Sequence, residues 1–230
     1  HAKMLLVVRR EKKKLVRYVH VGTGNYHATT ARAYTDMSML TNNKAISEDV
    51  HRVFTQLTGL GQTVNLKQLV QAPFNLHSFI TESIANETRI AKEGGKAHLI
   101  ARMNSLVDPG VIEALYAASK EGVKVELVVR GICMLKAGVP GLSDNIRVVS
   151  VLGRFLEHSR IFWFQNNGKQ KLYISSADWM PRNFFSRVEI AVPLEGAALA
   201  RVKEECLDVY LKDNTFSWQL NANGKYDRLQ

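Results

Sequence analysis

Residues 97-AHLIARMNSLVDPGVIEALYAASKEGVKVELVVR-130 hold two apolar runs on either side of a stretch with helical spacing. "AHLIARM" and "VKVELVVR" are almost uniformly apolar, the pattern of parallel strands covered on both faces. Between them, Asp108 before Pro109 suits a helix start and Gly122 a helix end. The stretch reads as a βαβ unit, and the chain therefore belongs to the α/β class. Arg130 stands just past the carboxyl end of the second strand, where open α/β sheets bind their ligands.

Downstream, "IRVVSVLG" supplies a strand, "SRIFWFQ" and "KLYISSAD" form a hairpin around Asn167-Gly168, "RVEIAVPL" adds a strand, and 196–213 has the spacing of an amphipathic helix. Upstream, 75–95 carries Leu76, Phe79, Ile80 and Ile84 at helical intervals and stops at Gly94-Gly95, and a further helix is expected after an N-cap at Ser47. Near the start, "MLLVV" and "LVRYVHV" read as two strands joined by a basic tip over 9–14.

The totals bound the class of partner. The chain has 230 residues, and its 46% hydrophobic content suffices for the core of one large domain or two small ones. Its 31 Lys and Arg against 21 Asp and Glu give a net charge of +10, which favours nucleic acid, polyphosphate, phosphorylated metabolites or an anionic membrane surface without selecting among them. Cys133 and Cys206 stand in no ligand-like spacing and read as reduced thiols of a cytosolic protein, and no structural zinc site is legible. No apolar run approaches the roughly 18 to 20 residues of a membrane span. There is no initiator Met or signal peptide, and "HAKMLLVVRR" enters a strand at once, so the chain is expected to be a fragment whose first domain has lost its beginning.

The chain also resembles itself. "HAKMLLVV … KLVRYVHVGTGN … ARAYTD" aligns with "HSRIFWF … KLYISSAD … FFSRVE". Each copy has a His-x-Lys/Arg entering an apolar strand, a polar turn, and a second strand ending in small residues, 22-GTGN-25 or 175-SSAD-178. Asn25 to Asp36 and Asp178 to Glu189 both span 11 residues, and Tyr34 falls opposite Arg187. At period two, His1 and Lys3 share one strand face, as do His158 and Arg160, so each copy presents an imidazole beside a cation. A neutral imidazole can attack phosphorus while the cation offsets charge on the phosphate oxygens, and a second imidazole can donate a proton to the leaving group.

"HAKM", "RYVHVGTGNYHATTARAYTDMSMLT", "ARMNSLVDP", "VELVVRGIC", "LEHSRIF" and "SADWMPRN" together resemble the C-terminal part of the bacterial polyphosphate kinase family, over essentially the whole chain. The resemblance implies two phospholipase D-like α/β domains related by the internal repeat, the first truncated at its N-terminus: 1–60 as the C-terminal half of the first and 61–230 as the second. It implies reversible transfer of the ATP γ-phosphate to polyphosphate through a phosphohistidine, with His1 as nucleophile and His158 as its partner. Tyr34 and Asp36 resemble nucleotide-contacting positions, Arg130 and Arg187 phosphate-binding arginines, and Lys3 the basic residue of the His-x-Lys pair. Magnesium is expected to travel with ATP, its ligands on the protein unknown. ATP or ADP and polyphosphate are the implied partners, without nucleic acid, in a cytoplasmic homo-oligomer whose basic surface also suits peripheral membrane association. The fragment alone is expected to be inactive.

One departure matters. The wider phospholipase D pattern has an Asp after the His-x-Lys pair, where this chain has Val8 and Arg9. That argues against phosphodiester hydrolysis by a phospholipase D-type enzyme or nuclease. A non-enzymatic basic module would need aromatics interleaved with basic residues, and Trp163, Trp179 and Trp218 show no such pattern. Asn104 and Ser105 could contact phosphate, though a capping or turn role is preferred for both, and His20, His27, His51, His77 and His98 are read as structural or solvated.

Overall fold

The structure, a computed structural model, describes residues 1–59 and 65–229. β1 (Lys3–Glu11) and β2 (Lys14–Gly22) pair antiparallel along their whole length. Most of the basic run 9–14 lies within these strands, and only Lys12, at a positive φ of 55°, and Lys13 form the turn. After a one-turn helix α1 (Ala28–Ala31) and the short β3 (Tyr34–Thr35), β4 (Ser38–Thr41) pairs with β2 to complete a three-stranded sheet. α2 (Lys44–Thr58) starts earlier than the sequence suggested. Asn43 caps it by accepting from the Ile46 N–H at 3.2 Å, and Ser47 is buried in the first turn, donating to the Lys44 carbonyl. Both residue types cap well, but only Asn43 lets the helix begin early enough to bury Ile46 against the sheet.

The second copy contributes β5 (Val70–Ala72), α3 (Leu76–Lys92), β6 (His98–Met103), α4 (Pro109–Lys120), β7 (Lys124–Val129), β8 (Ile146–Val151), β9 (Leu156–Glu157), β10 (Arg160–Phe164), β11 (Lys171–Ser175) and β12 (Glu189–Leu194). α5 (Gly196–Lys203) then runs through a π-helical turn, Glu204–Asp208, into α6 (Val209–Lys212), and β13 (Ser217–Leu220) and β14 (Tyr226–Arg228) end the chain as a hairpin. The βαβ unit forms as its pattern requires, with the Asp108 carboxylate accepting from the Val111 N–H at 2.9 Å and Pro109 in the first turn. Nine strands form one sheet in the order β14-β13-β8-β7-β6-β10-β11-β12-β5. The β6-β7-β8 centre is parallel and the remaining pairs are antiparallel.

α3 and α4 cover one face of this sheet, burying Leu76, Ile80, Ile84, Val111 and Leu115 against Leu99, Leu127, Phe162 and Phe164. The other face buries Ile100, Val128, Ile161 and Trp163 together with Leu207 and Leu211, and the same apolar cluster takes in Val19, Val21, Ile46 and Val50 of the first copy. The two copies therefore share a core. The expected α/β class holds, with a central sheet covered on both faces, as its uniformly apolar strands demand. The expected boundary between residues 60 and 61 lies outside the described residues. β1-β2-β4 and β10-β11-β12 are matching antiparallel meanders. Phe162 and Tyr173 are covered by α3, whereas their counterparts Leu5 and His20 sit on the outward face of the smaller sheet.

The two-residue strands β3 and β9 pair in parallel and join the copies beneath His158. Behind them lies a buried polar cluster. The Arg102 guanidinium reaches the Glu157 carboxylate, donates to Thr35 Oγ1 at 3.2 Å, and stacks 3.8 Å over the Tyr210 ring. Tyr210 and Thr35 both donate to the same Glu157 oxygen, at 2.9 and 2.5 Å. An ion pair with water excluded is costly to break from one side, since the remaining charge stays buried and unpaired. Glu157→Gln or Arg102→Met should each lower the urea-unfolding free energy by about 3–5 kcal/mol. The double variant Arg102→Met/Glu157→Leu should recover most of that loss, and equal losses in the single and double variants would assign the effect to packing instead.

Candidate active site

His1 and His158 each stand just ahead of a strand, β1 and β10, with a cation two residues on. Period-two geometry brings the pairs together: Lys3 Nζ lies 3.0 Å from His1 Nδ1 and 3.4 Å from Nε2, and Arg160 Nη1 lies 3.0 Å from His158 Nε2. The acid beside each imidazole comes from the other copy. His1 Nδ1 is 2.9 Å from Glu189 Oε1, and His158 Nδ1 is 2.8 Å from Asp36 Oδ1. A carboxylate on Nδ1 fixes ring orientation, and Nε2 of each ring faces the neighbouring cation, Lys3 beside His1 and Arg160 beside His158.

The backbone repeats this exchange residue by residue. The Ala2 N–H donates to the Val188 carbonyl at 2.8 Å, and its counterpart Ser159 donates to Thr35 at 3.1 Å. Thr23 Oγ1 donates to Asp36 at 2.7 Å, and its counterpart Ser176 Oγ donates to Glu189 at 2.5 Å. The same two hydroxyls accept from the Met37 and Ile190 N–H groups, at 3.0 and 3.2 Å. The alignment read from the sequence is thus a spatial repeat, with the copies crossing over at the histidines.

Electrostatics differ between the halves. Glu189 is fully buried, held by Ser176 and by Asn183 Nδ2 at 2.6 Å, and its burial pushes the carboxyl group's pKa up. Lys3 is buried as well. Desolvation pulls its ammonium down to about 8, opposed by the carboxylates of Glu189 and Asp36 and reinforced by Arg160 and Arg187. Charges from both copies therefore converge on Lys3. Arg160 is paired with Asp178, through Nε–Oδ1 at 3.2 Å and Nη2–Oδ2 at 3.1 Å. Arg130 donates instead to a neutral group, Asn104 Oδ1, from Nε at 2.9 Å and Nη2 at 2.7 Å.

Of the residues singled out from the sequence, His1, Lys3, Asp36 and His158 fall in the two dyads, and the Tyr34 ring lies 5.1 Å from that of His158. Arg187 is half-buried near Lys3, and Arg130 joins through Asn104. Asp36 has its carboxylate committed to His158 and Thr23. Glu189 was legible only as the aligned counterpart of Asp36, and Asp178 and Asn183 carried no signal beyond their positions in the repeat. Of the capping or turn role expected for Asn104 and Ser105, the capping half fails, although both lie in the connection between β6 and α4. Asp108 caps α4, while the Asn104 and Ser105 N–H groups both donate to Asp178 Oδ1, at 2.7 and 3.2 Å.

No group of three or more His, Cys, Asp or Glu side chains is placed to hold a metal ion among the described residues. The site's carboxylates, Asp36, Asp178 and Glu189, are already engaged by His, Arg, Ser, Thr or Asn partners. This donor set does not fit a magnesium ion held by the chain itself.

Residues 69–230 match the family model described as polyphosphate kinase C-terminal domain 2, and residues 1–63 match polyphosphate kinase C-terminal domain 1. The chain belongs to the polyphosphate kinase C-terminal domain family. Curated polyphosphate kinases from Pseudomonas putida and Pseudomonas aeruginosa are both 55% identical to it, over 99% and 100% of the chain, and one from Xylella fastidiosa is 52% identical over all of it. The chain spans about a third of the length of these relatives: 31% of the first and 33% of the other two. The crystal structure of polyphosphate kinase from Porphyromonas gingivalis superposes with a TM-score of 0.92 at 36% identity, covering all of this chain and 36% of that one. No described helix is long and apolar enough to cross a membrane.

Gly24 packs against Asp36 so closely that a Cβ there would lie 2.5 Å from Oδ2 and 2.6 Å from Cγ. Gly24→Ala should therefore displace the Asp36 carboxylate from His158. The downfield Nδ1–H resonance of His158 should disappear from an imidazole-selective NMR spectrum while that of His1 persists; retention of both would show that Asp36 does not depend on the glycine.

Proposed function

We propose that this chain carries the phosphoryl-transfer centre of a polyphosphate kinase, moving the ATP γ-phosphate reversibly to polyphosphate through a phosphohistidine on His1. The observation that carries this reading is the crossed pair of dyads. Two imidazoles, each oriented at Nδ1 by the other copy's carboxylate and each flanked by a cation, supply one nucleophile and one proton donor. In the forward half-reaction, His1 Nε2 forms a bond to the γ-phosphorus as the bond to the ADP oxygen breaks, and His158 supports the leaving group. A terminal polyphosphate oxygen then takes the phosphoryl group and frees His1. Glu189 holds the ring of His1 and Asp36 that of His158, with Tyr34 against the second ring on the nucleotide side. Lys3, Arg130 and Arg187 offset charge on the phosphate oxygens, which suits a reaction that depends on positioning and electrostatics.

Magnesium enters, on this reading, with the nucleotide phosphates. A cytoplasmic homo-oligomer whose basic surface meets a membrane peripherally is compatible with it, and polyphosphate rather than nucleic acid is the polymer partner.

The test places this chain in the full-length Pseudomonas putida polyphosphate kinase, in exchange for the matching third, and supplies γ-labelled ATP. Acid-labile, base-stable label should appear, be lost in His1→Gln, and chase into polyphosphate. His158→Gln should lower the rate of labelling rather than remove the attachment point. Label surviving His1→Gln would sink the assignment, and release of product from a phosphodiester without ATP would favour a phospholipase D-type hydrolase.

Lys3 adds a pH signature. Its ammonium loses its proton near pH 8, so phosphate affinity and His1 labelling should fall as pH rises through about 8. Lys3→Arg keeps its charge well above that range and should hold labelling nearly flat from pH 7 to 9, as initial rates would show.

A further inference from the structure

Asn104 occupies a junction that neither the repeat nor the dyads explain. It follows β6, whose last residue Met103 pairs with Val129 of β7, so Asn104 and Arg130 are neighbours at the carboxyl end of the parallel centre. The chains approach closely here. A Cβ on Gly131 would come within 2.9 Å of the Asn104 carbonyl oxygen, and the Gly131 N–H donates to that carbonyl at 2.8 Å. The Asn104 side chain is buried and engaged at both ends: Oδ1 accepts two bonds from Arg130, and Nδ2 donates to the His158 carbonyl at 3.0 Å. Arg130 is thereby tied to the backbone of a histidine 28 residues away in sequence.

The chemistry of the acceptor matters. Arg102 is paired with Glu157 and Arg160 with Asp178, each a carboxylate that cancels the cation. Arg130 has no carboxylate within ion-pair distance among the described residues; its orienting partner is an amide, which fixes the guanidinium plane and leaves its charge intact. An Arg that is oriented but not neutralised still offers its full charge and its remaining N–H donors to a phosphate oxygen.

We propose that Asn104 is a positioning residue that aims the uncompensated Arg130 guanidinium at a phosphoanhydride oxygen and sets it in register with His158. This deepens the phosphoryl-transfer reading and rests on it. Asn104 acts through Arg130 and the His158 backbone. Its amide character is the essential feature, because a carboxylate of nearly the same shape would hold the guanidinium while cancelling its charge.

The experiment uses the 230-residue chain, inorganic tripolyphosphate as the probe and two variants, Asn104→Asp and Asn104→Ala. Titration calorimetry reads affinity, and the Arg130 Nε–H resonance, with its exchange rate, reads guanidinium order. Asn104→Asp should keep the Nε–H protected yet bind tripolyphosphate at least about tenfold more weakly. Asn104→Ala should lose the protection and weaken binding by a similar factor with no added charge. The His158 carbonyl retains the Arg160 Nη1 donor at 2.7 Å in both variants, and far-UV circular dichroism checks that they fold.

If Asn104→Ala binds like the parent chain, or leaves the Nε–H protected, the positioning role is overturned; weakening in Asn104→Asp alone would then be a charge effect. If the parent chain itself fails to bind tripolyphosphate, the phosphate-site reading falls for this chain, and the Nε–H signal in Asn104→Ala still decides whether Asn104 orders Arg130.

Discussion

The exchange of carboxylates between the two copies is the interaction on which the rest of the structure depends. His1 is oriented by Glu189, and His158 by Asp36, so neither copy holds a complete dyad by itself. A buried carboxylate without a partner carries a heavy desolvation penalty, which Glu189 offsets only because Ser176, Asn183 and His1 converge on it. The shared apolar cluster that takes in Val19, Val21, Ile161 and Trp163 thus does more than bury surface. It fixes the relative placement of two strand ends to within hydrogen-bonding tolerance, as a pair of imidazole–carboxylate contacts requires.

Within that frame the two halves are unequal. Beneath His158, the Thr35 hydroxyl is locked between Glu157 and Arg102, and Tyr210 donates to the same Glu157 oxygen. Thr35 corresponds to Val188 beside His1, which has no hydroxyl to offer. The cation next to His158 is a guanidinium fixed by Asp178, whereas the cation next to His1 is a buried ammonium whose pKa falls to about 8. One imidazole is held rigidly by paired charges, and the other sits beside a cation weakened by desolvation. Such an inequality suits a pair in which one ring attacks and the other manages a proton, since those roles ask for different protonation behaviour.

The charge inventory explains why an overall +10 need not make every basic residue an anion ligand. Arg102 and Arg160 are consumed by structural carboxylates. Arg130, oriented by a neutral amide at the end of β7, retains its charge where open α/β sheets place their ligands. Net charge favours a polyanion in general, and the hydrogen-bond partners decide which cations remain to meet it.

The sequence by itself determined the α/β class, because long apolar strands flanking a capped helix can satisfy their surfaces only in a sheet covered on both sides. It also determined the repeat, because the His-x-Lys/Arg pairs and the equal 11-residue spans are countable along the chain, and the motifs from "HAKM" to "SADWMPRN" carried the family. The two-residue strands β3 and β9, the terminal hairpin of β13 and β14 and the cap at Asn43 were not legible, since such short elements owe their conformation to neighbours rather than to periodicity. Asn104 looked like a turn residue for the same reason: nothing in "RMNSLVDP" says that Arg130 and the His158 carbonyl will be its partners. Only the tertiary structure decided that each histidine takes its acid from the opposite copy, because a sequence alignment pairs Asp36 with Glu189 as equivalents, while the crossing of the two copies is a matter of how their sheets pack.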